Sequence, residues 1–377
     1  MTGPHRPAWA EISRGALKRN LRRLVNRARP AQILPVIKAN AYGHGLAAVG
    51  RLLQAEGVFS VAVALVREGV ALRFEGFRGR ILLIEPLLPR DVPEAMKHRL
   101  TPQVSSLEEA RRLNTTARRA GLTRFKVQVE VDTGMGRVGF RPEDLLRDYP
   151  RLVRLPNLGV EAFYTHLATA DWSDGAYAKK QIALFHALRD KLAPHSPADL
   201  PAPLWHLANS AALLGKIPGT QGDWMRPGLA LYGVAPNPRL GHALGLEPVM
   251  TLKASILQVK RIAKGDSVGY NRTFIAKRPM KIAVLSAGYA DGVHRSLSNK
   301  GSCLVRGRKV PLVGTICMDM CMADVTRVPN VKAGDVAVLF GKSGRTSLPV
   351  EEQALAAGTI PYELLCAVGE RVERVYV

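Results

Sequence analysis

The sequence predicts an α/β protein: a TIM-like (β/α)8 barrel over residues 13–236, followed by a mainly β domain over residues 237–377. Three observations carry this. Short apolar runs alternate with amphipathic, Arg-rich segments from near residue 16 to 235, as parallel sheets require. About eight such units fit in roughly 220 residues, which suits a closed barrel better than an open sheet. After Pro236 the helical patterns fade and short β-rich runs take over.

Taken in order, residues 1–12 read as an N-terminal strand that joins the second domain. Ile33–Lys38 is the first barrel strand, followed by Val58–Val63, Arg80–Ile84, Arg124–Val131 and Leu158–Thr165. Thr101–Val104, Leu204–Leu207 and Leu229–Gly233 complete the eight. Between them, Leu46–Glu56, Leu107–Ala120 and Ala176–Ala193 carry helical periodicity. The boundary falls in the Pro-rich segment Pro236–Pro248. Beyond it, Leu252–Lys260, Lys281–Leu285, Cys303–Val305, Val310–Val313 and Val336–Phe340 read as strands. Turns such as Lys264-Gly265-Asp266 and Ala333-Gly334-Asp335 separate them.

Composition narrows the function class. No window approaches the ~18 consecutive apolar residues of a membrane span. Met1–Arg14 lacks an apolar signal core, and the four cysteines are too sparse for a disulfide scaffold. The expectation is a reduced, cytoplasmic enzyme without membrane contact. The net charge of +23 raises nucleic acid as a partner. The basic residues are dispersed, however, and recur at helical spacing, as in Arg111-Arg112 with Arg118-Arg119. That pattern reads as solvated helix faces, with no specific nucleic-acid site.

Lys38 ends an apolar strand, where barrel enzymes place their chemistry. A lysine desolvated there can form a Schiff base, although a strand-ending lysine also snorkels to water. Asp132–Gly139 contains a literal Gly-x-Gly-x-x-Gly after a predicted strand. A dinucleotide-binding turn would open its helix inside the glycines, whereas Pro142 marks the helix start here. The glycines suit a loop of close approach, with Arg137 pointing into a site. Gly341-Lys342-Ser343 fails the phosphate-loop spacing, because Val336 stands where a glycine is required. Cys317 and Cys321 lack a second ligand pair, so no metal site is expected.

Ten segments in order resemble bacterial alanine racemases. They are Trp9–Ile12, Val36–Gly45, Asp132–Gly139, Tyr164–Asp171, Asn209-Ser210, Met225–Gly228, Leu231–Gly233, Gly288-Tyr289-Ala-Asp-Gly292, Cys317–Asp319 and Ile360–Glu363. The resemblance implies a homodimer with shared active sites that interconverts L- and D-alanine and supplies D-alanine for peptidoglycan. It implies pyridoxal 5'-phosphate held covalently on Lys38 as an internal aldimine. Tyr289, delivered by the second domain to the partner's site, is the implied second base. Lys38 would deprotonate the D-isomer and Tyr289 the L-isomer, because one base cannot reach both faces of a planar carbanion. Cations would tune the pair, and His166 and Arg226 are matched to that role beside Tyr289.

The same resemblance places Tyr42, Ser210, Gly228, Leu229 and Tyr362 around the phosphate. Arg226 would face the pyridine nitrogen, and a side chain that can only donate disfavours ring protonation and transamination. Arg137 and the Met318 N–H would meet the substrate carboxylate, with Asp319 supporting that loop. Glu130 stands where some relatives carry a carbamylated lysine, so its charge could hold Arg137 without bound carbon dioxide. An ordinary strand-end Glu is the competing reading. Asn271 and Ser286-Ala287 depart from the family pattern and leave serine or a broader substrate range open. A related amino-acid decarboxylase, a pyridoxal carrier and a basic nucleic-acid-binding protein are the other readings.

Overall fold

The computed structural model describes residues 7–172, 174–195, 201–240 and 244–377. Residues 1–6 of the expected N-terminal strand and 241–243 of the boundary segment lie outside the described residues.

The first strand, β1 (Ala8–Ile12), leads into helix α1 (Arg14–Ala28). Ser13 caps α1 by accepting from the Ala16 N–H at 3.2 Å. Leu17, Leu21, Leu24 and Ala28 recur on one buried face of that helix. Eight short strands then form the barrel. They are β2 (Gln32–Ile33), β3 (Ser60–Val63), β4 (Arg80–Leu83), β5 (Gln103–Val104), β6 (Phe125–Glu130), β7 (Leu158–Tyr164), β8 (Leu204–His206) and β9 (Trp224–Met225). Parallel pairs join β3 to β4, and β5 through β6 and β7 to β8. Bridges Val36↔Ala62, Leu82↔Thr101 and Asn209↔Arg226 span the gaps. Gln32↔Trp224 and Ile33↔Met225 close the ring.

Two expectations need correction. The first strand keeps its backbone bonds to Ile37, but Pro35 has no N–H and interrupts the regular ladder. Leu229–Gly233 is not the eighth strand: Leu229–Tyr232 forms a 3-10 turn, and β9 takes the closing place. Leu-Ala-Leu-Tyr has no β-branched residue, and Ser210 Oγ accepts from the N–H groups of Gly228 and Ala230 at 2.9 and 3.3 Å. The backbone therefore coils at the end of β9.

The second domain is a nine-stranded sheet built on β10 (Met250–Ile262). β10 pairs antiparallel with β1, Met280–Leu285 and Val336–Ser343. β1 also pairs, in parallel, with Glu373–Tyr376. Two short helices, Val350–Ala357 and Pro361–Cys366, join this sheet. The second of these brings Tyr362 against the barrel, with its ring 6.0 Å from that of Tyr42. One buried apolar cluster runs through both parts, from Ala8 to Val372.

Candidate active site

The C-terminal ends of the barrel strands surround a cavity of about 530 Å³. Ten of the expected residues line it: Lys38, Tyr42, Glu130, Arg137, His166, Ser210, Arg226, Gly228, Leu229 and Tyr362. Tyr289 and Met318 are not among its lining residues, nor is Asp319.

Lys38 opens a strained segment. Ala39, Asn40, Ala41 and Tyr42 have φ of 52, 53, 55 and 53°, a left-handed turn without glycine. Such residues cost roughly 1–2 kcal/mol each. Surrounding bonds offset that cost. Asn40 Oδ1 accepts from the Leu46 N–H at 2.7 Å. Arg374 Nε donates to the Gly43 carbonyl at 3.0 Å and Tyr376 Oη to the His44 carbonyl at 3.1 Å. His44 stacks on Tyr232 with ring centroids 4.2 Å apart. Burial pushes its imidazole down to about 4, so it is neutral.

Tyr42 reaches across to the coil after β9. A Cβ on Gly228 would lie 2.3 Å from the Tyr42 hydroxyl, so only glycine leaves room there. Among the described residues the Tyr42 hydroxyl has no hydrogen-bond partner. Together with Ser210 and the Leu229 N–H it makes a donor set with no carboxylate, which suits a phosphate.

Arg226 forms the cavity floor and is buried. It donates to His206 Nδ1 at 2.8 Å and to the Thr165 carbonyl at 2.7 Å. Its Nε keeps no partner among the described residues. Burial lowers its pKa to about 10, so it stays charged at neutral pH. The acceptor role of His206 Nδ1 requires a neutral ring, and burial beside Arg226 holds that ring well below its usual value. His166 is corrected in the same way. Burial, then Arg226, Arg137 and Lys38, push it down to about 3. It is not a cation and cannot contribute positive field; Arg226 and Arg137 supply that.

Glu130 ends β6 with 3% of its surface exposed. Its Oε2 lies 2.9 Å from the Tyr164 hydroxyl, which also contacts Gln103 Oε1. One phenolic hydrogen cannot serve two acceptors. A protonated Glu130 resolves this by donating to Tyr164, which then donates to Gln103. Burial raises Glu130 to about 7, against the pull of Tyr164, Arg137 and Arg226. Glu130 thus bonds Tyr164 and forms no ion pair with Arg137 among the described residues. The glycine loop behaves as a close-approach loop. Asp132 Oδ1 accepts from the N–H groups of Gly134, Met135 and Gly136 at 2.8–3.1 Å, and the helix starts at Pro142.

Tyr289, Met318 and Asp319 form a second cluster in the C-terminal domain. The Tyr289 N–H donates to the Cys317 carbonyl and the Ala290 N–H to the Met318 carbonyl, each at 3.0 Å. Arg371 binds Asp291 at 2.7 Å and Asp319 at 2.6 Å, tying the two loops together. Tyr289 is 44% exposed and Met318 53%.

Tyr164 and His206 escaped sequence reasoning as site residues. Each ends a barrel strand, and that position was the available signal.

The family description "Alanine racemase, N-terminal domain" matches residues 12–236, and its C-terminal counterpart matches residues 249–376. The alanine racemase of Desulforamulus reducens is 39% identical over 374 residues, spanning 98% of this chain and 99% of the relative. A solved alanine racemase of Clostridium difficile 630 superposes with TM-score 0.92 at 34% identity, over 100% of this chain and 97% of the other. The Bartonella henselae alanine racemase, solved with covalently bound pyridoxal phosphate, gives 0.87 at 29% identity, over 99% and 100%. No described helix is long and apolar enough to cross a membrane. A barrel with an Arg226-floored cavity, a mainly β second domain and full-length matches place this chain in the alanine racemase family.

Proposed function

We propose that the chain interconverts L- and D-alanine with Lys38 and Tyr289 of the partner subunit as the two proton-transfer groups. In this reading it works as a cytoplasmic homodimer and uses pyridoxal phosphate held on Lys38. The observation that carries the reading is the cavity itself, where Lys38, the Tyr42–Ser210–Leu229 donor set and the charged Arg226 share one wall system. Gly228 and the unpartnered Tyr42 hydroxyl support phosphate binding at one end. The spare Nε of Arg226 supports a ring nitrogen that accepts at the other.

When bound, pyridoxal phosphate supplies an electron sink for negative charge at Cα. The rest is done by the chain. Lys38 removes or returns the Cα proton on one face. Tyr289 of the partner subunit does so on the other, which is why one chain's cavity lacks it. Arg137, with the Met318 N–H of the partner subunit, orients the substrate carboxylate, and Arg371 fixes that loop through Asp319. Water is kept from the inner wall by Tyr164, His206 and Arg226, all buried.

Exchange of the Cα hydrogen on each enantiomer tests the assignment. Lys38→Ala is expected to abolish exchange from D-alanine, and Tyr289→Phe from L-alanine. Equal loss of both directions in both variants refutes the two-base pairing. Serine offered in the same assay separates a strict from a broader racemase.

A further inference from the structure

The left-handed turn after Lys38 is pinned on its C-terminal side by the second domain, through Arg374 and Tyr376. On the Lys38 side, among the described residues, the side-chain pin is one carboxylate, added to the backbone bonds of Ile37. Glu68 Oε1 accepts from the Ala39 N–H at 2.6 Å. Its Oε2 accepts from the N–H groups of Ala64 and Leu65 at 2.9 and 3.1 Å. Ala64 and Leu65 directly follow β3, whose Ala62 accepts from the Ile37 N–H at 2.9 Å. Glu68 therefore bridges two neighbouring strand ends at the point where one of them turns left-handed.

We propose that Glu68 is a positioning residue for Lys38. The inference rests on the reading of Lys38 as the cofactor-bearing amine. Ala39 N belongs to the planar peptide that leaves Lys38, so fixing it fixes the tilt of the Lys38 Cα–Cβ bond. The segment is strained, and without the carboxylate its first peptide is free to relax toward a right-handed conformation. That relaxation swings the lysine stem away from the wall it shares with Tyr42. A carboxylate also suits the start of the helix Val66–Phe74, and this is the plain structural alternative. Glu109 makes the matching contact in the next unit but one, accepting from the Ser105 N–H at 2.8 Å, with no link to the lysine segment. It serves as the control for helix capping alone.

The full-length protein carries the test in Glu68→Gln, Glu109→Gln and Lys38→Ala. Glu68→Gln keeps shape and can accept on one side only, so it remains informative where Glu68→Ala fails to fold. Amide hydrogen exchange at Ala39 is expected to rise by about tenfold or more in Glu68→Gln, as expected for loss of a local anchor. kcat is expected to fall about tenfold or more while KM for alanine stays within about twofold, since misplacement of a reacting group acts on the chemical step. Affinity for added pyridoxal phosphate, read by absorbance, falls with it. Glu109→Gln is expected to lower Tm and leave kcat unchanged. Wild-type exchange and kcat in Glu68→Gln overturn the proposal, as does a kcat loss equal to that of Glu109→Gln. Lys38→Ala separates the two readings. Aldimine absorbance retained there, with no free amine present, overturns the lysine assignment itself. Lost absorbance there, with Glu68→Gln unaltered, overturns only the role of Glu68.

Discussion

Replacing Glu130 by Gln removes a buried group whose protonation is set by its surroundings, and the outcome can be worked out in sign and size. Glu130 rises from 4.5 to about 7 in the folded chain. Between those values the folded protein holds a proton that the unfolded chain has released. Stability must then fall as pH rises through that window, and level off above pH 7. The rise corresponds to an upper figure of about 3 kcal/mol at 1.36 kcal/mol per tenfold step. The amide introduced by Glu130→Gln carries no charge and can still donate to Tyr164, so the variant escapes this cost. Neutral His44, which is buried, and His166, which is half-buried, act in the opposite sense, losing stability as pH falls below 6.5 toward about 4 and 3. Only the difference between the two proteins isolates Glu130. Urea unfolding at pH 5 and pH 8, at one protein concentration, measures it. Glu130→Gln is expected to gain about 2–3 kcal/mol on the wild type between the two pH values. Parallel pH dependence in both proteins refutes the argument that burial keeps Glu130 protonated.

Gly228→Ala sets a Cβ 2.3 Å from the Tyr42 hydroxyl, and is expected to weaken pyridoxal phosphate binding about tenfold, the worth of one good hydrogen bond. An unchanged absorbance titration contradicts this. Arg226→Lys cannot reproduce the bonds to His206 and Thr165 and is expected to lower stability by about 3 kcal/mol, read by urea unfolding. The rings of His44 and His166 are expected to stay neutral down to pH 5, and titration of either above pH 6 by NMR overturns the neutral assignment.

Much of the site is legible in the sequence because it follows from local order. Lys38 ends an apolar run, and parallel barrels expose strand ends on one face. Pro142 announces a helix start, which removes the dinucleotide reading of the glycine loop. The change of texture after Pro236 marks a β-rich part by its period alone. Leu229–Gly233 reads wrongly as a strand because an apolar run of five says little about its shape. Ser210, 18 and 20 residues from the Gly228 and Ala230 N–H groups it binds, curls it.

The sequence by itself determined the alternation that makes a barrel, the strand-ending lysine, and the motif order by which the chain resembles its family. Only the tertiary structure decided the raised pKa of Glu130, the neutrality of His166, the neutral tautomer of His206 under Arg226, and the left-handed turn that Glu68 contacts. It also decided that Tyr289 lies outside its own chain's cavity. The physical reason is range. Periodicity and turn chemistry act between neighbours, whereas desolvation, paired charges and strain depend on which distant strands come to rest against each other.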